Sequence, residues 1–156
     1  MTENREKIDA LLIQPGCYPK KVQIGTELED LQGAVGGYIE IVYPFSDPVG
    51  IILNEEGKLL DLPPNRAVRD AGGDLYDIYC GDFLVVGLTE DTICSLTGEQ
   101  MKEYEARFHQ PEVFLRMGKR MLAVPMPDEQ VAAAAERRIK QQAQDQRKPS
   151  VSHPEI

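Results

Sequence analysis

The 156-residue sequence lacks any apolar run of the ~18–20 residues that a membrane-spanning helix requires. A secretion signal is missing as well. The apolar part of the opening stretch, MTENREKIDALLIQPG, is too short for a signal-peptide core, and no small-residue cleavage site follows it. We therefore expect a cytoplasmic protein, in a bacterium or a phage-infected cell, that does not associate with a membrane.

Cysteine is scarce and occurs only at Cys17, Cys80 and Cys94. These residues are widely spaced and odd in number, and no C-x-x-C pair is present. Neither a disulfide framework nor a zinc site is therefore indicated. We expect the cysteines to be small buried hydrophobic side chains, and the sequence indicates no metal and no cofactor.

Basic residues are outnumbered, since 17 Lys and Arg stand against 26 Asp and Glu, for a net charge of −9. The excess of acidic residues lies before residue 128, because the remaining residues hold equal numbers of each sign. Affinity for nucleic acid comes mainly from Lys and Arg that displace counterions, so the charge argues against direct nucleic-acid binding. An acidic surface that imitates DNA stays open, as does one that only keeps the chain soluble.

The usual catalytic patterns are also missing. No serine lies in a G-x-S-x-G context, and neither His109 nor His153 has an acidic residue at metal-ligand spacing. Glu55 and Glu56 are adjacent in a predicted turn, so they do not converge on one bond. We therefore expect no enzymatic activity, although acid–base groups from distant positions could still converge.

Hydrophobic periodicity predicts an α+β fold. Alternation and short apolar runs favour strands, among them IDALLI, KKVQI, YIEIVY and the buried run FLVV. Capping-box spacing at Thr26 and at Thr97 predicts two helices, and EVFLRM after Pro111 is interpreted as a further short helix. We expect a mostly antiparallel sheet of about five to six strands with two or more helices packed on one face, plus a C-terminal helical tail.

The predicted organisation is a compact α+β domain at 1–125, an alanine- and charge-rich helical extension at 126–148 and a disordered tail at 149–156. The extension has one narrow apolar stripe, formed by Val131, Ala135, Ile139 and Ala143. A helix with so little to bury is marginal alone. We expect it to dock on the body or to pair with another chain.

The segment 54–66, NEEGKLLDLPPNR, concentrates candidate binding residues. Two short apolar runs around Asn-Glu-Glu-Gly predict a hairpin in which Gly57 supplies a positive φ. Pro63–Pro64 then holds the backbone extended and rigid. The segment is therefore interpreted as a turn followed by a loop that presents side chains.

Asn65 and Arg66 follow that rigid support. An arginine held in this way is ready to bind a carboxylate or a phosphate, and Lys58 could join it if the hairpin folds toward the loop. In the alternative interpretation, Asn65 closes a turn and Arg66 forms a surface ion pair with Asp70. The residues by themselves leave both interpretations open.

Four stretches carry a family resemblance: AVGGYIEIV, ILNEEGKLLDLPPNRA, GDFLVVG and SLTGEQMKEYEARF. In this order they resemble the domain-of-unknown-function family 3846 (DUF3846) over about residues 8–110. The motif positions that the resemblance implies are Gly36, Gly37, Tyr38, Glu40, Asn54, Glu56, Gly57, Lys58, Pro63, Pro64, Asn65 and Arg66. The resemblance implies a small product of a phage or another mobile element, and no particular reaction or ligand. The candidate ligand-binding residues are Arg66, Asn65, Lys58 and Tyr38.

Our leading hypothesis is a small non-enzymatic binding protein that sequesters or docks a partner. Its ligand would be a small anionic, nucleotide-like molecule, as in anti-defence proteins, held by Lys58, Arg66 and backbone amides. The first alternative is an acidic docking factor or DNA mimic that engages a host protein. The second is an oligomeric scaffold in which chains associate through the C-terminal helix.

Overall fold

The computed structural model describes residues 6–69, 72 and 75–147, which form ten strands and three helices. The strands are β1 (Lys7–Ile13), β2 (Lys20–Gly25), β3 (Ile39–Val42), β4 (Val49–Asn54), β5 (Pro64–Arg69), β6 (Leu75–Cys80), β7 (Phe83–Leu88), β8 (Ile93–Cys94), β9 (Glu112–Met117) and β10 (Arg120–Pro125). The helices are α1 (Leu28–Val35), α2 (Gly98–Arg107) and α3 (Asp128–Arg147). The predicted α+β class and the C-terminal helix are confirmed.

The main sheet is antiparallel and has the strand order β2-β1-β7-β4-β3, with β8 paired to the end of β7. This agrees with the five to six strands that we expected. The central strand β7 is buried on both faces, as its continuous apolar run predicts. Two separate two-stranded ladders, β5–β6 and β9–β10, complete the strand structure of the described residues.

Different elements cover the two faces of the main sheet. Along β1 successive side chains point to opposite faces, so Ala10 packs with Leu31 of α1. Its neighbour Leu11 packs with Tyr104 of α2 on the other side. The prediction of helices on one face is therefore corrected. The central strands carry apolar residues on both faces, and each face is buried by its own helix.

The helix ends are set by local chemistry. α1 begins after Glu27, one residue later than predicted, and the Glu27 N–H donates to the Asp30 carboxylate. It ends at Gly36, whose φ of 79° is left-handed and favours glycine. α2 begins at the predicted capping box, in which the Gln100 N–H donates to the Thr97 hydroxyl.

The segment EVFLRM, predicted as a short helix, is strand β9. It pairs with β10 across a tight turn in which Gly118 adopts a φ of 65°. A six-residue apolar segment is ambiguous between helix and strand by periodicity alone. The pairing with β10, which follows later in the chain, determines that this segment is a strand.

The predicted hairpin around Asn-Glu-Glu-Gly is also wrong. β4 ends at Asn54, and the chain then runs through turns to Asp61, which has the positive φ of 57°. Gly57 is required for a different reason. A Cβ at this position would lie only 2.9 Å from the Cys80 carbonyl oxygen, so the turn packs tightly against β6.

The C-terminal helix α3 contacts the body at its start. Val131 is 3% exposed, and the Asp128 carboxylate accepts hydrogen bonds from Tyr18 and Gln110. Ile139, further along the predicted stripe, is 65% exposed. The predicted disordered tail at 149–156 lies outside the described residues.

None of the helices in the described parts of the chain is both long enough and apolar enough to cross a membrane.

Candidate functional site

A cleft of about 530 Å³ opens between the end of α2 and the strand β5. Pro44 and Phe45 of the β3–β4 loop form one wall, and residues 66–69 of β5 form another. Residues 106–110, at the end of α2, and Glu112 of β9 line the remainder. These elements are distant in sequence, so the cleft forms only when α2, the β3–β4 loop and the two small ladders pack together.

Arg66 lies at the inner wall of this cleft and is only 2% exposed. Its Nε donates to the Phe108 carbonyl at 3.0 Å, and its Nη2 donates to the Cys17 carbonyl at 2.7 Å. Its Nη1 donates to the Asn65 Oδ1 at 2.9 Å and approaches the carbonyls of Asn65 and Gln14. The guanidinium thus ties the end of β1 to the end of α2, and its nitrogen atoms are all engaged.

Asn65 is fully buried beside it. Its Nδ2 donates to the Ile13 carbonyl at 2.9 Å and to the Gly81 carbonyl at 2.7 Å. Its Oδ1 accepts from Arg66, so the two side chains form one satisfied unit. A buried polar network of this kind stabilises a fold only when each member has its partners.

Burial lowers the pKa of Arg66 from its ordinary 12.5 to about 10, and the nearby Glu112 carboxylate opposes this shift. The side chain therefore stays protonated at neutral pH. The acceptors that surround it are carbonyl and amide oxygens, whose dipoles replace water around the charge. The main effect of the Arg66 side chain is structural, because its hydrogen bonds hold β1, β5 and α2 together.

These positions correct the sequence interpretation of Asn65 and Arg66. Neither residue lies on an exposed loop; both belong to strand β5 and point into the interior. Each side-chain nitrogen of the two residues donates to an oxygen atom of the chain itself, so both side chains are held in the scaffold. A surface ion pair does not fit a buried Arg66, and its predicted partner Asp70 lies outside the described residues.

Arg107, the last residue of α2, lies at the mouth of the cleft and is exposed. Its Cζ is 4.8 Å from the centroid of the Phe45 ring and 5.5 Å from that of the Tyr104 ring. The rings attract the cation while leaving its N–H groups free. Among the described residues none forms a hydrogen bond or an ion pair with this guanidinium.

Arg69 lines the opposite wall. Its Nη2 donates to the Ala123 carbonyl at 3.0 Å and lies 3.6 Å from the Glu112 carboxylate. The second oxygen of Glu112 accepts from the Ala67 N–H at 2.7 Å, which satisfies an edge donor of β5. Glu112 therefore positions Arg69 beside the cleft and joins the β9–β10 ladder to β5.

His109 follows Arg107 on the same rim. Its Nδ1 lies 2.9 Å from the Glu105 carboxylate, and its ring stacks on Tyr18 with centroids 4.8 Å apart. His109 therefore lies just beyond the C-terminus of α2, where a positive charge is favoured. The imidazole is half-exposed and can contribute a further polar edge to the cleft.

The cleft has the chemistry of an anion site. The lining holds three arginines, Arg66, Arg69 and Arg107, and one carboxylate, that of Glu112. Its net charge is therefore positive, although the chain as a whole is acidic. The Phe45 ring supplies a flat apolar wall. An anion that also carries a planar ring would match both features.

The other two predicted binding residues lie elsewhere. Lys58 is 65% exposed and forms an ion pair with Asp77 at 2.6 Å, beside a separate cavity of about 240 Å³. That Asp77 contact raises the pKa of the Lys58 ammonium, and burial opposes it. Tyr38 is 66% exposed and lines none of the cavities described above. The structure therefore does not bring Lys58 and Tyr38 to Arg66.

Sequence reasoning missed Arg69 and Arg107. Each looks like an ordinary surface cation, one in a strand and one at the end of a helix, where a positive charge is expected in any case. The glycine and asparagine motif positions drew attention instead, and several of them have packing roles. Asn54 is buried and donates to the Val35 carbonyl, and a Cβ on Gly37 would lie 2.8 Å from its Nδ2.

Metal chemistry finds no support in the described ranges, where no group of three or more His, Cys, Asp or Glu could hold an ion. Cys17, Cys80 and Cys94 are free and half-buried, less buried than we expected. Burial raises the pKa of the Cys80 thiol, and the charge of Lys58 partly offsets this. This thiol is therefore less reactive than an exposed one.

Comparison with curated proteins returns no match, and comparison with solved structures returns none either. A family model does match the chain. It covers residues 8–109, which include the main sheet, both of its helices and the residues that build the cleft up to His109. The chain therefore belongs to the DUF3846 family, a family of domains of unknown function.

Proposed function

We propose that this protein is a non-enzymatic binding protein that holds a small anionic, nucleotide-like ligand in the cleft between α2 and β5. The observation that carries the proposal is the position of Arg107. Its guanidinium lies at the mouth of the cleft over two aromatic rings, and among the described residues it has no hydrogen-bond acceptor. A free cation held over an aromatic wall supports anion binding more directly than any buried group does.

The net charge of −9 does not oppose this proposal at the distance that matters. Exposed charges separated by more than about 8 Å are largely screened at physiological salt. Within the cleft, the ligand would face Arg69 and Arg107 directly, and the buried Arg66 would add positive potential from below. The acidic remainder of the surface would slow the encounter with an anion more than it would weaken the bound state.

The walls suggest how such a ligand would lie. Phosphate oxygens would take the free N–H groups of Arg107, whose planar fork suits bidentate contact. Arg69 would add a second cation from the opposite wall, where Glu112 already orients it. A base or another planar group would pack on the apolar side of Phe45.

The proposed setting is the cytoplasm of a bacterium that carries a phage or another mobile element. A protein that sequesters a nucleotide-like signal would act there by binding alone. Docking of the acidic surface on a host protein is the alternative partner class.

The proposal is tested by isothermal titration calorimetry with ADP, ATP and inorganic pyrophosphate. We expect the wild-type chain to bind at least one nucleotide. Arg107→Gln removes the free cation and keeps the length of the side chain. It should weaken binding by about tenfold or more, since hydrogen bonds to charged groups contribute ~1.5–3 kcal/mol.

The matched control is Arg137→Gln, which changes an exposed arginine on α3 outside the cleft. It should bind as the wild type does. If the two variants lost affinity equally, the loss would come from the change in net charge alone, which would contradict the proposal. Absence of binding by the wild-type chain to all three compounds would contradict it as well.

A further inference from the structure

The β9–β10 hairpin exposes one apolar face to solvent. Its register places Leu115 opposite Leu122 and Val113 opposite Val124, so these four side chains share a face with Met117. Leu115 is 45% exposed, Met117 59% and Leu122 38%. Exposed apolar faces of this kind mark interaction sites.

The charges of the hairpin are polarised. Three cations lie around its tip: Arg116, Lys119 and Arg120. No acidic residue occurs between Val113 and Pro127, and none of the three cations forms an ion pair with a described residue. The opposite charge lies at the base, where α3 begins with the exposed carboxylates of Asp128 and Glu129. Asp128 is engaged with Tyr18, which leaves Glu129 as the available carboxylate.

We propose that this face is a self-association surface on which a second copy of the chain docks with two-fold symmetry. In a two-fold contact the same patch of each copy meets the other, and the two hairpins run in opposite directions. The cationic tip of one copy, at Arg120, would then lie beside the acidic base of the other, at Glu129. The apolar middle of each hairpin would pack on the same part of its partner, around Leu115 and Leu122.

A second copy is favoured over other occupants because the complementary charge is already on this chain. A bilayer of anionic lipids would attract the three cations, but it would repel the acidic body that carries them. The contact also differs from association through the middle of the α3 stripe, because only the first turn of α3 takes part. It goes beyond the proposed ligand site and does not depend on it.

The proposal is tested by sedimentation equilibrium of the full chain over a range of concentrations. We expect the wild type to form a reversible dimer and Leu122→Asp to be monomeric, because the substitution buries a charge in the contact. Arg120→Glu alone should weaken the dimer by about tenfold, since it places like charges opposite each other. Combining it with Glu129→Arg should restore dimerisation, because the pair is re-formed with reversed sign.

The matched control is Leu59→Asp, which alters a leucine that is 83% exposed on the turn after β4. It should dimerise as the wild type does. Recovery in the charge-swapped double variant also guards against misfolding, because an unfolded chain would not be rescued. A monomeric wild type at all concentrations would overturn the proposal, and so would a Leu122→Asp chain that still dimerises or a double variant that stays monomeric.

Discussion

Two arginines line the same cleft at different depths and differ in what folding leaves free. Arg66 is buried, and its nitrogens donate to the carbonyls of the chain. Arg107 is exposed, lies over Phe45, and has no acceptor among the described residues. One cation is therefore part of the scaffold, and the other is available to a ligand. Both residues are arginines, so the difference in role comes from whether the guanidinium already has acceptors in the folded chain.

The difference follows from the cost of burying charge. A guanidinium removed from water must find acceptors within the protein, and here the ends of β1 and α2 supply them. An exposed guanidinium keeps its water and can exchange that water for a ligand. Substitution of Arg66 should therefore lower the stability of the fold, whereas substitution of Arg107 should weaken ligand binding and leave stability nearly unchanged.

The largest effect is expected for Arg66→Ala. This change removes the donor from the buried Phe108 carbonyl and from the partly buried Cys17 carbonyl, and it opens a cavity beside Asn65. It should lower the free energy of unfolding by about 3–4 kcal/mol. Urea denaturation followed by circular dichroism measures the loss.

Arg66→Lys is the companion variant, because it keeps the charge. One ammonium group cannot reach acceptors at both the β1 and the α2 ends, so most of the loss should remain. Full stability in the lysine variant would show that charge alone is required. Arg66→Ala with wild-type stability would remove the distinction between the buried and the exposed arginine.

A smaller, pH-dependent effect is expected at Tyr104, whose ring lies beneath Arg107. Its hydroxyl donates to the Asp47 carboxylate at 2.8 Å, and burial together with that hydrogen bond raises the pKa of Tyr104 above its ordinary 10.0. Below pH 10 both the folded and the unfolded tyrosine are protonated, so the contribution to stability is complete. Above pH 10 only the unfolded form releases its proton readily, so stability falls as the pH rises.

Unfolding free energies measured across pH 8 to 11 should therefore decline less steeply for Tyr104→Phe than for the wild type. The variant should also lose about 1 kcal/mol at neutral pH with its hydrogen bond. Tyr43→Phe, at a tyrosine that is 65% exposed, should leave the slope unchanged. A wild-type slope in Tyr104→Phe would mean that other groups cause the decline.

The smallest effect on folding is expected for Arg107→Gln. The side chain has no hydrogen bond to lose among the described residues, so the free energy of unfolding should stay within about 0.5 kcal/mol of the wild type. Thermal unfolding without ligand measures this, and the calorimetric titration above measures binding in the same variant. A large loss of stability would show that the contacts with Phe45 and Tyr104 hold the fold, which would weaken the comparison with Arg66.

Local patterns predicted the elements whose signals are complete within one segment. The buried strand β7 follows from its continuous apolar run, and α2 follows from the capping box at Thr97. EVFLRM was misassigned because its pairing partner lies beyond a turn in β10. The turn after Asn54 was misassigned because Gly57 is required by the carbonyl of Cys80, a contact that no local pattern encodes.

The candidate site was less predictable than the fold. The segment around Asn65 and Arg66 was identified as important, and the structure gives it a buried structural role. Arg69, Arg107 and Phe45 come from three separate elements, and none of them lies in a recognisable motif. Their proximity depends on the packing of α2 and β5 against the sheet, which local periodicity does not report.

The sequence by itself determined the α+β class, the antiparallel sheet, the Thr97 cap of α2 and membership of the DUF3846 family. These depend on periodicity, short-range hydrogen bonds and the order of blocks along the chain. Only the tertiary structure decided that the helices cover opposite faces and that Arg66 is enclosed while Arg107 stays free. The physical reason is that burial and donor satisfaction are properties of what surrounds a side chain. For Arg66 the Phe108 and Cys17 carbonyls come from residues more than forty positions away.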